Sequence, residues 1–202
     1  MAEIIILNAS PRAPKSNSRL YADIFIKNCK EKTEYYNISK TNHKELCGKI
    51  NGFTDILFVF PLYADGIPAT LLGFLKNLEK NPPLKKPTVS VIVNCGFLEP
   101  EQNDTAVDMV KLFCTQNGFP FGSVLKIGGG EAILGTPFRS FAERKIKRLA
   151  GCISDGKQRV LKTTMPLPKR IFIKASASYW LEYGRKNGVT EEEMRTMSIE
   201  KI

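Results

Sequence analysis

The chain has 202 residues, 43% of them hydrophobic, which suits one large α/β domain or one domain with a tail. No window approaches the ~18 apolar residues of a membrane span, and the first residues lack the basic start of a secretion signal, so a cytoplasmic protein is expected. The net charge of +10 is uneven: Arg139 to Lys174 holds eleven Lys and Arg against two acids, Glu143 and Asp155, which leaves about +1 for everything else. Such a tract suits an acidic partner, a nucleic acid or a membrane surface, or simply a solvated helix face.

The first predicted element is the apolar run Ile4-Ile5-Ile6-Leu7, three of its four residues β-branched, short and bounded by turn residues, as in a strand buried on both faces. The loop Ser10-Pro11-Arg12-Ala13-Pro14-Lys15-Ser16-Asn17-Ser18 follows. A helix then opens with Leu20, Tyr21, Ile24 and Phe25 on one face. A strand that passes through a polar loop into a helix collects phosphate, because first-turn N–H groups lack partners and the helix dipole favours an anion. Ser10, Ser16, Asn17 and Ser18 add donors, and Arg12 and Lys15 add charge. The alternative is a capped turn that binds nothing. The loop contains no glycine, so it is neither a Walker A loop nor a dinucleotide G-x-G-x-x-G turn. Hydroxyls and an arginine in place of glycine-exposed amides point to a terminal monophosphate, such as that of FMN, more than to a pyrophosphate.

Further along, Glu34–Ile38 reads as a second strand and Lys40–Lys49 as a short polar helix. Asp55–Phe60 is a strong buried strand that exits into Pro61-Leu62-Tyr63-Ala64-Asp65-Gly66-Ile67-Pro68. Leu71, Leu72, Phe74, Leu75 and Leu78 mark a helix that ends before Pro82-Pro83. Thr88–Asn94 is the fourth strand, leaving through Cys95-Gly96-Phe97-Leu98-Glu99-Pro100. Ala106, Met109, Val110, Phe113 and Cys114 predict a helix stopped by Gly118. Val124–Ile127 is the fifth strand, closed by Gly128-Gly129-Gly130-Glu131, which reads as a turn. In the next helix Ala142, Ile146, Leu149 and Ile153 face inward, while Arg144, Lys145, Lys147 and Arg148 face out. Met165-Pro166-Leu167-Pro168 is a break, so residues 1–165 form the expected main domain and 166–202 a C-terminal extension. That extension carries Ile171, Phe172, Ile173, Tyr179, Trp180 and Tyr183, and then Thr190-Glu191-Glu192-Glu193, a helix cap followed by acids. It is expected to pack on the domain or on a second subunit.

Five strands alternating with helices imply a parallel sheet covered on both faces by right-handed crossovers. Ligands of such sheets sit at the carboxyl ends of the strands, beside the loops after strands one, three and four. Cys29, Cys47, Cys95, Cys114 and Cys152 show no metal spacing and are odd in number, so neither a metal site nor a disulfide framework is expected. His43 is read as incidental, Cys95 as a packing residue, and Glu99 and Glu131 as solvated.

Those three loops together resemble the flavodoxin-like NAD(P)H-dependent FMN reductase and quinone reductase superfamily. Ser10, Arg12 and Ser16-Asn17-Ser18 are similar to its S-x-R-x-x-S phosphate pattern. Pro61, Tyr63, Pro68, Leu71 or Leu72, and a displaced Lys76 are similar to its P-x-Y-x-x-x-x-P-x-x-L-K flavin loop. Asn94-Cys95-Gly96-Phe97 resembles the loop that flanks the isoalloxazine ring. Ala9 departs from the glycine usual before the serine, and the lack of a cysteine cluster argues against the iron–sulfur branch. The resemblance implies a three-layer flavodoxin-like fold with a five-stranded parallel sheet in the order 2-1-3-4-5. It also implies FMN as cofactor, NAD(P)H as electron donor, a small-molecule acceptor, and a homodimer in preference to a nucleic-acid or membrane contact. Ser10, Arg12, Ser16, Asn17 and Ser18 would hold the phosphate. Pro61, Leu62 and Tyr63 would form a wall for the ring, with amides from Ala64, Asp65 and Gly66, and Asn94, Cys95, Gly96 and Phe97 would lie on its other side. Because the cofactor carries the hydride chemistry, no protein acid–base pair is expected. The alternative is a flavodoxin-type electron carrier with no substrate of its own. Such carriers are generally acidic, which the charge here opposes.

Overall fold

A run of four branched apolar residues can be buried only where both faces of a strand are covered, and Ile4 to Leu7 are fully buried. In a computed structural model that describes residues 3–196, they form the middle of β1 (Glu3–Asn8). This strand pairs in parallel with β2 (Lys32–Asn37) on one side and β3 (Asp55–Pro61) on the other. The ladder continues, parallel throughout, to β4 (Thr88–Asn94), β5 (Phe121–Ile127) and β6 (Val160–Thr163). The order is β2-β1-β3-β4-β5-β6.

The sheet thus has six strands, which corrects the expected five; the order of the first five is as expected. The sixth was hidden because it is a short edge strand. Only Leu161 and Thr163 are buried, while Val160 and Lys162 face out, so the four residues carry no apolar run. Lysine on an exposed edge also discourages pairing with another chain.

Alternate residues of each strand serve opposite layers. Ile5, Leu7, Phe58, Phe60, Val91 and Val93 join one core with Leu46, Leu71, Phe74 and Val110. These last four come from α2 (His43–Lys49), α3 (Ala69–Lys80) and α4 (Asp104–Asn117). On the other face α1 (Asn17–Asn28) packs beside α5 (Arg139–Ser154). Each buried Leu, Ile or Phe contributes about 1.5–3 kcal/mol, so the core layers, rather than helix propensity, hold these short helices. Three residues that mark predicted helix faces lie outside: Leu20 is 48%, Leu72 40% and Met109 36% exposed. The α4 helix ends where Gly118 turns left-handed at φ +70°, as expected.

The chain divides between Met165 and Pro166 into two compact units. The second contains α6 (Lys169–Lys186) and α7 (Glu191–Thr196). Thr190 Oγ1 accepts from the Glu193 amide at 3.2 Å, and the Glu193 carboxylate accepts from the Thr190 amide at 2.8 Å, a reciprocal helix cap.

Candidate functional site

Because the strands are parallel, their carboxyl ends share one rim. Asn8, at the end of β1, organises the first loop. Its side-chain oxygen accepts from the Ser10 amide at 2.9 Å, and its amide nitrogen donates to Tyr35 Oη at 2.8 Å and to Ser16 Oγ at 3.4 Å. Ser16 is the N-cap of α1, accepting from the Arg19 amide at 3.2 Å. Ser10 Oγ accepts from the Arg12 amide at 3.3 Å, and Ser18 Oγ accepts from Asn94 Nδ2 at 3.3 Å. All three hydroxyls therefore serve the protein as acceptors, which leaves each O–H to donate elsewhere. Ser16 is half-buried at the N-cap, beside the first-turn amides of α1, and Arg12 is exposed, whereas Ser10 and Ser18 are buried. This donor set fits a phosphate monoester.

The second loop makes a tight hairpin turn. Tyr63 and Gly66 exchange backbone hydrogen bonds of 3.0 and 3.1 Å. Between them Ala64 (φ 47°) and Asp65 (φ 57°) are both left-handed. Asparagine, aspartate and glycine tolerate this conformation, whereas alanine is strained in it by about 1–2 kcal/mol. Strain of this kind persists at ligand clamps when the surroundings fix it. Tyr63 is 60% exposed, and Pro61 and Leu62 are half-buried.

The third loop splits by role. Gly96 and Phe97 are exposed, Phe97 at 53%, while Asn94 and Cys95 are buried. Asn94 Nδ2 also donates to Phe60 O at 3.1 Å, and Asn94 O accepts from the Leu62 amide at 2.7 Å, which joins this loop to the second. Cys95 Sγ accepts from Asn103 Nδ2 at 3.3 Å, and burial pushes its thiol pKa up. Asn94 and Cys95 are therefore scaffold, and Gly96 and Phe97 are the surface they support.

A fourth loop, after β5, joins these three and was read from the sequence as a plain turn. Gly130 N donates to Cys95 O at 2.7 Å, and Gly129 N donates to Phe97 O. A Cβ on Gly128 would collide with Leu98 O, so only glycine permits this approach. Tyr21 Oη donates to Gly130 O at 2.8 Å, and burial raises the phenol pKa, which keeps it a donor. Glu131 is not simply solvated: its carboxylate pairs with Arg12 at 3.3 Å and its carbonyl accepts from Asn17 Nδ2 at 3.0 Å. Thr70 Oγ1, in the first turn of α3, donates to Ala9 O at 2.9 Å. Asn8, Tyr21, Thr70 and Glu131 were missed as site-builders. Only the strand-end position of Asn8 offered a signal.

The basic face of α5 lies elsewhere. Arg139, Arg144 and Lys147, with Lys27 and Ile24 of α1, line a cleft of about 400 Å³ that shares no residue with the rim. His43 Nδ1 lies 3.2 Å from Asn77 Nδ2, and its ring meets Phe74 edge-on at 5.9 Å, a packing role. Among the described residues no cluster could hold a metal ion.

Comparison with solved structures places the architecture. The NAD(P)H:quinone oxidoreductase of Methanothermobacter marburgensis superposes with a TM-score of 0.58 at 15% identity, over 76% of this chain and 97% of the other. The chain has the flavodoxin-like fold. An FMN-dependent NADH-azoreductase of Bacillus anthracis, solved with FMN, shares it at a TM-score of 0.56 and 14% identity, over 76% and 99% of the two chains. So does a flavodoxin of Streptococcus pneumonia, at 0.57 and 14% over the same shares. No family model matches the sequence, and no curated protein does. In a flavodoxin-like sheet the rim described here is the carboxyl edge, where the strand order reverses between β1 and β3.

Proposed function

We propose that the rim binds FMN and that the chain is an NAD(P)H-dependent oxidoreductase. It passes electrons to a small acceptor such as a quinone, a free flavin, an azo compound or a nitro compound. The observation that carries this reading is the donor set around the start of α1: the half-buried Ser16 hydroxyl, the first-turn amides and the exposed Arg12, with Ser10 and Ser18 buried behind them. Two of the similar structures named above are reductases of quinones and azo compounds, which supports the reading.

Bound FMN would supply the hydride chemistry. The chain's part is to hold and shield it. Ser10, Ser16, Ser18 and Arg12 take the phosphate, and Arg12 exchanges its Glu131 partner for it. The Tyr63–Gly66 turn offers amides to the polar edge of the ring. Tyr63, Leu62 and Phe97 supply apolar surface that excludes water from its faces. The basic cleft on α1 and α5 would act on a phosphate-rich donor only at long range.

The second reading, an electron carrier, is favoured by the flavodoxin match alone. Both readings are tested on one preparation. A yellow protein whose visible band bleaches on anaerobic NADPH supports the oxidoreductase, and a colourless one that FMN cannot reconstitute overturns both. Steady-state NAD(P)H oxidation with a small acceptor and no partner protein separates them, because a carrier shows essentially none. Sedimentation of the same sample reads the homodimer that the resemblance implies.

A further inference from the structure

The 18-residue helix α6 carries an apolar side of which half the residues are aromatic, most of them exposed. Phe172, Ser176, Tyr179 and Tyr183 follow helical spacing along one stripe, and Ile173, Ala177, Trp180 and Gly184 run beside them. Ile173 is 55% exposed, and Tyr179, Trp180 and Tyr183 are each 44% or more. The rings of Tyr179, Trp180 and Tyr183 cluster, the two tyrosines stacked and Trp180 edge-on to both, with centroids 5.2 to 6.3 Å apart. The far end of the stripe is covered where Met194 of α7 packs over Gly184. The opposite side carries Lys174 and Arg185, with Ile171 and Leu181 as its apolar exceptions; Arg170 and Lys186 flank the apolar side, and Lys169 stands within it at the first turn. Glu182, the only acid of the helix, is paired with Lys186 at 2.7 Å. Glu191, Glu192 and Glu193 open α7, after the Gly188 turn.

We propose that α6 docks on an anionic lipid surface, lying in the plane of the interface with its aromatic stripe inward. Charge complementarity selects this occupant. Five cations against one acid on α6 are attracted to acidic headgroups, whereas a second copy of a chain with net charge +10 is repelled. Tryptophan and tyrosine favour the boundary between headgroups and acyl chains, and basic residues on the polar face complete the pattern of an interfacial helix. No helix among the described residues is long and apolar enough to cross a membrane, so α6 lies on the surface rather than spanning it. The sequence expectation ranked a homodimer above a membrane contact; the cations of α6 favour the lipid for this helix. The inference stands on α6 alone. Only its bearing on the acceptor, which would then be a lipid-soluble quinone, rests on the flavin reading.

Trp180 is the only tryptophan in the chain, so its fluorescence reports this face directly. The full chain is mixed with vesicles of phosphatidylcholine, either pure or with one quarter phosphatidylglycerol. A blue shift of the Trp180 emission and co-sedimentation are expected with the anionic vesicles only, weakening as salt is raised. The double variant Arg170→Glu with Lys174→Glu, both exposed, should lower partitioning about tenfold or more. Tyr179→Ser with Tyr183→Ser should remove the shift. Neither pair should alter NADPH oxidation in vesicle-free buffer. Unshifted emission with anionic vesicles overturns the proposal. So does emission that is already blue and follows protein concentration without lipid, which would assign the face to a second copy. A colourless protein that still shifts would defeat the flavin reading and leave this one standing.

Discussion

The two ends of the rim are built on opposite plans. At the start of α1, polar side chains are tied into one network: Asn8 to Ser10, Ser16 and Tyr35, Ser18 to Asn94, and Asn17 and Arg12 to Glu131. At the other end Tyr63 and Phe97 stand out from the surface, and two residues without glycine's freedom hold left-handed conformations. The first end is preorganised, so an anion binding there orders few new groups. The second gains its full contacts only with a ligand in place. Affinity should therefore come mainly from the phosphate end, and the environment of the ring from the other.

The largest test of that division removes donors at the preorganised end. Ser10→Ala with Arg12→Ala should weaken FMN binding by about 3 kcal/mol or more, since a hydrogen bond to a charged group contributes ~1.5–3 kcal/mol. That is roughly a hundredfold in Kd, read by quenching of flavin fluorescence. Glu131→Gln serves as the counterpart. It removes the carboxylate that pairs with Arg12 and should tighten binding by less than about tenfold, because the pair is exposed. Unchanged affinity in the double variant would put the phosphate elsewhere.

The difference between the two ends also explains what could be read from the sequence. Asp55–Phe60 was legible because a central strand buried on both faces reads as a continuous apolar run, here Ile56 to Phe60. Gly118 was legible because a helix stop is a local device. Val160–Thr163 was not, because an edge strand half open to water needs only Leu161 and Thr163 inside. Periodicity places an apolar stripe but not its width, so Leu20 and Leu72 were drawn inward although they lie at its margin. The link from Arg12 to Glu131 spans 119 positions, and nothing local announces it. The glycines after β5 were legible as a turn. Their need for a bare backbone depends on the pairing of β4 with β5, which brings Leu98 O against Gly128.

That buttress gives the next test in size. Gly128→Ala forces a Cβ into Leu98 O, which must shift the loop carrying Phe97. Overpacking of this kind destabilises by about 1–3 kcal/mol, measurable as a lowered urea midpoint. Because the disturbance falls at the ring end, the flavin spectrum should change more than the affinity. An equal loss of affinity in this variant and in the double variant at Ser10 and Arg12 would erase the distinction between the two ends.

The smallest effect probes the strained turn. Ala64 sits at φ 47°, where a side chain is unfavourable and glycine is not. Ala64→Gly should therefore raise stability by about 1 kcal/mol, the relief of strain exceeding the entropy that glycine adds to the unfolded chain. The freed turn must then be ordered when the ring binds, so FMN affinity should fall a few-fold while stability rises. Those opposite signs mark a residue kept strained for its ligand. If both quantities rose together, the left-handed alanine would be a burden of the fold, and the amides of Ala64 and Asp65 would have no part in holding the ring.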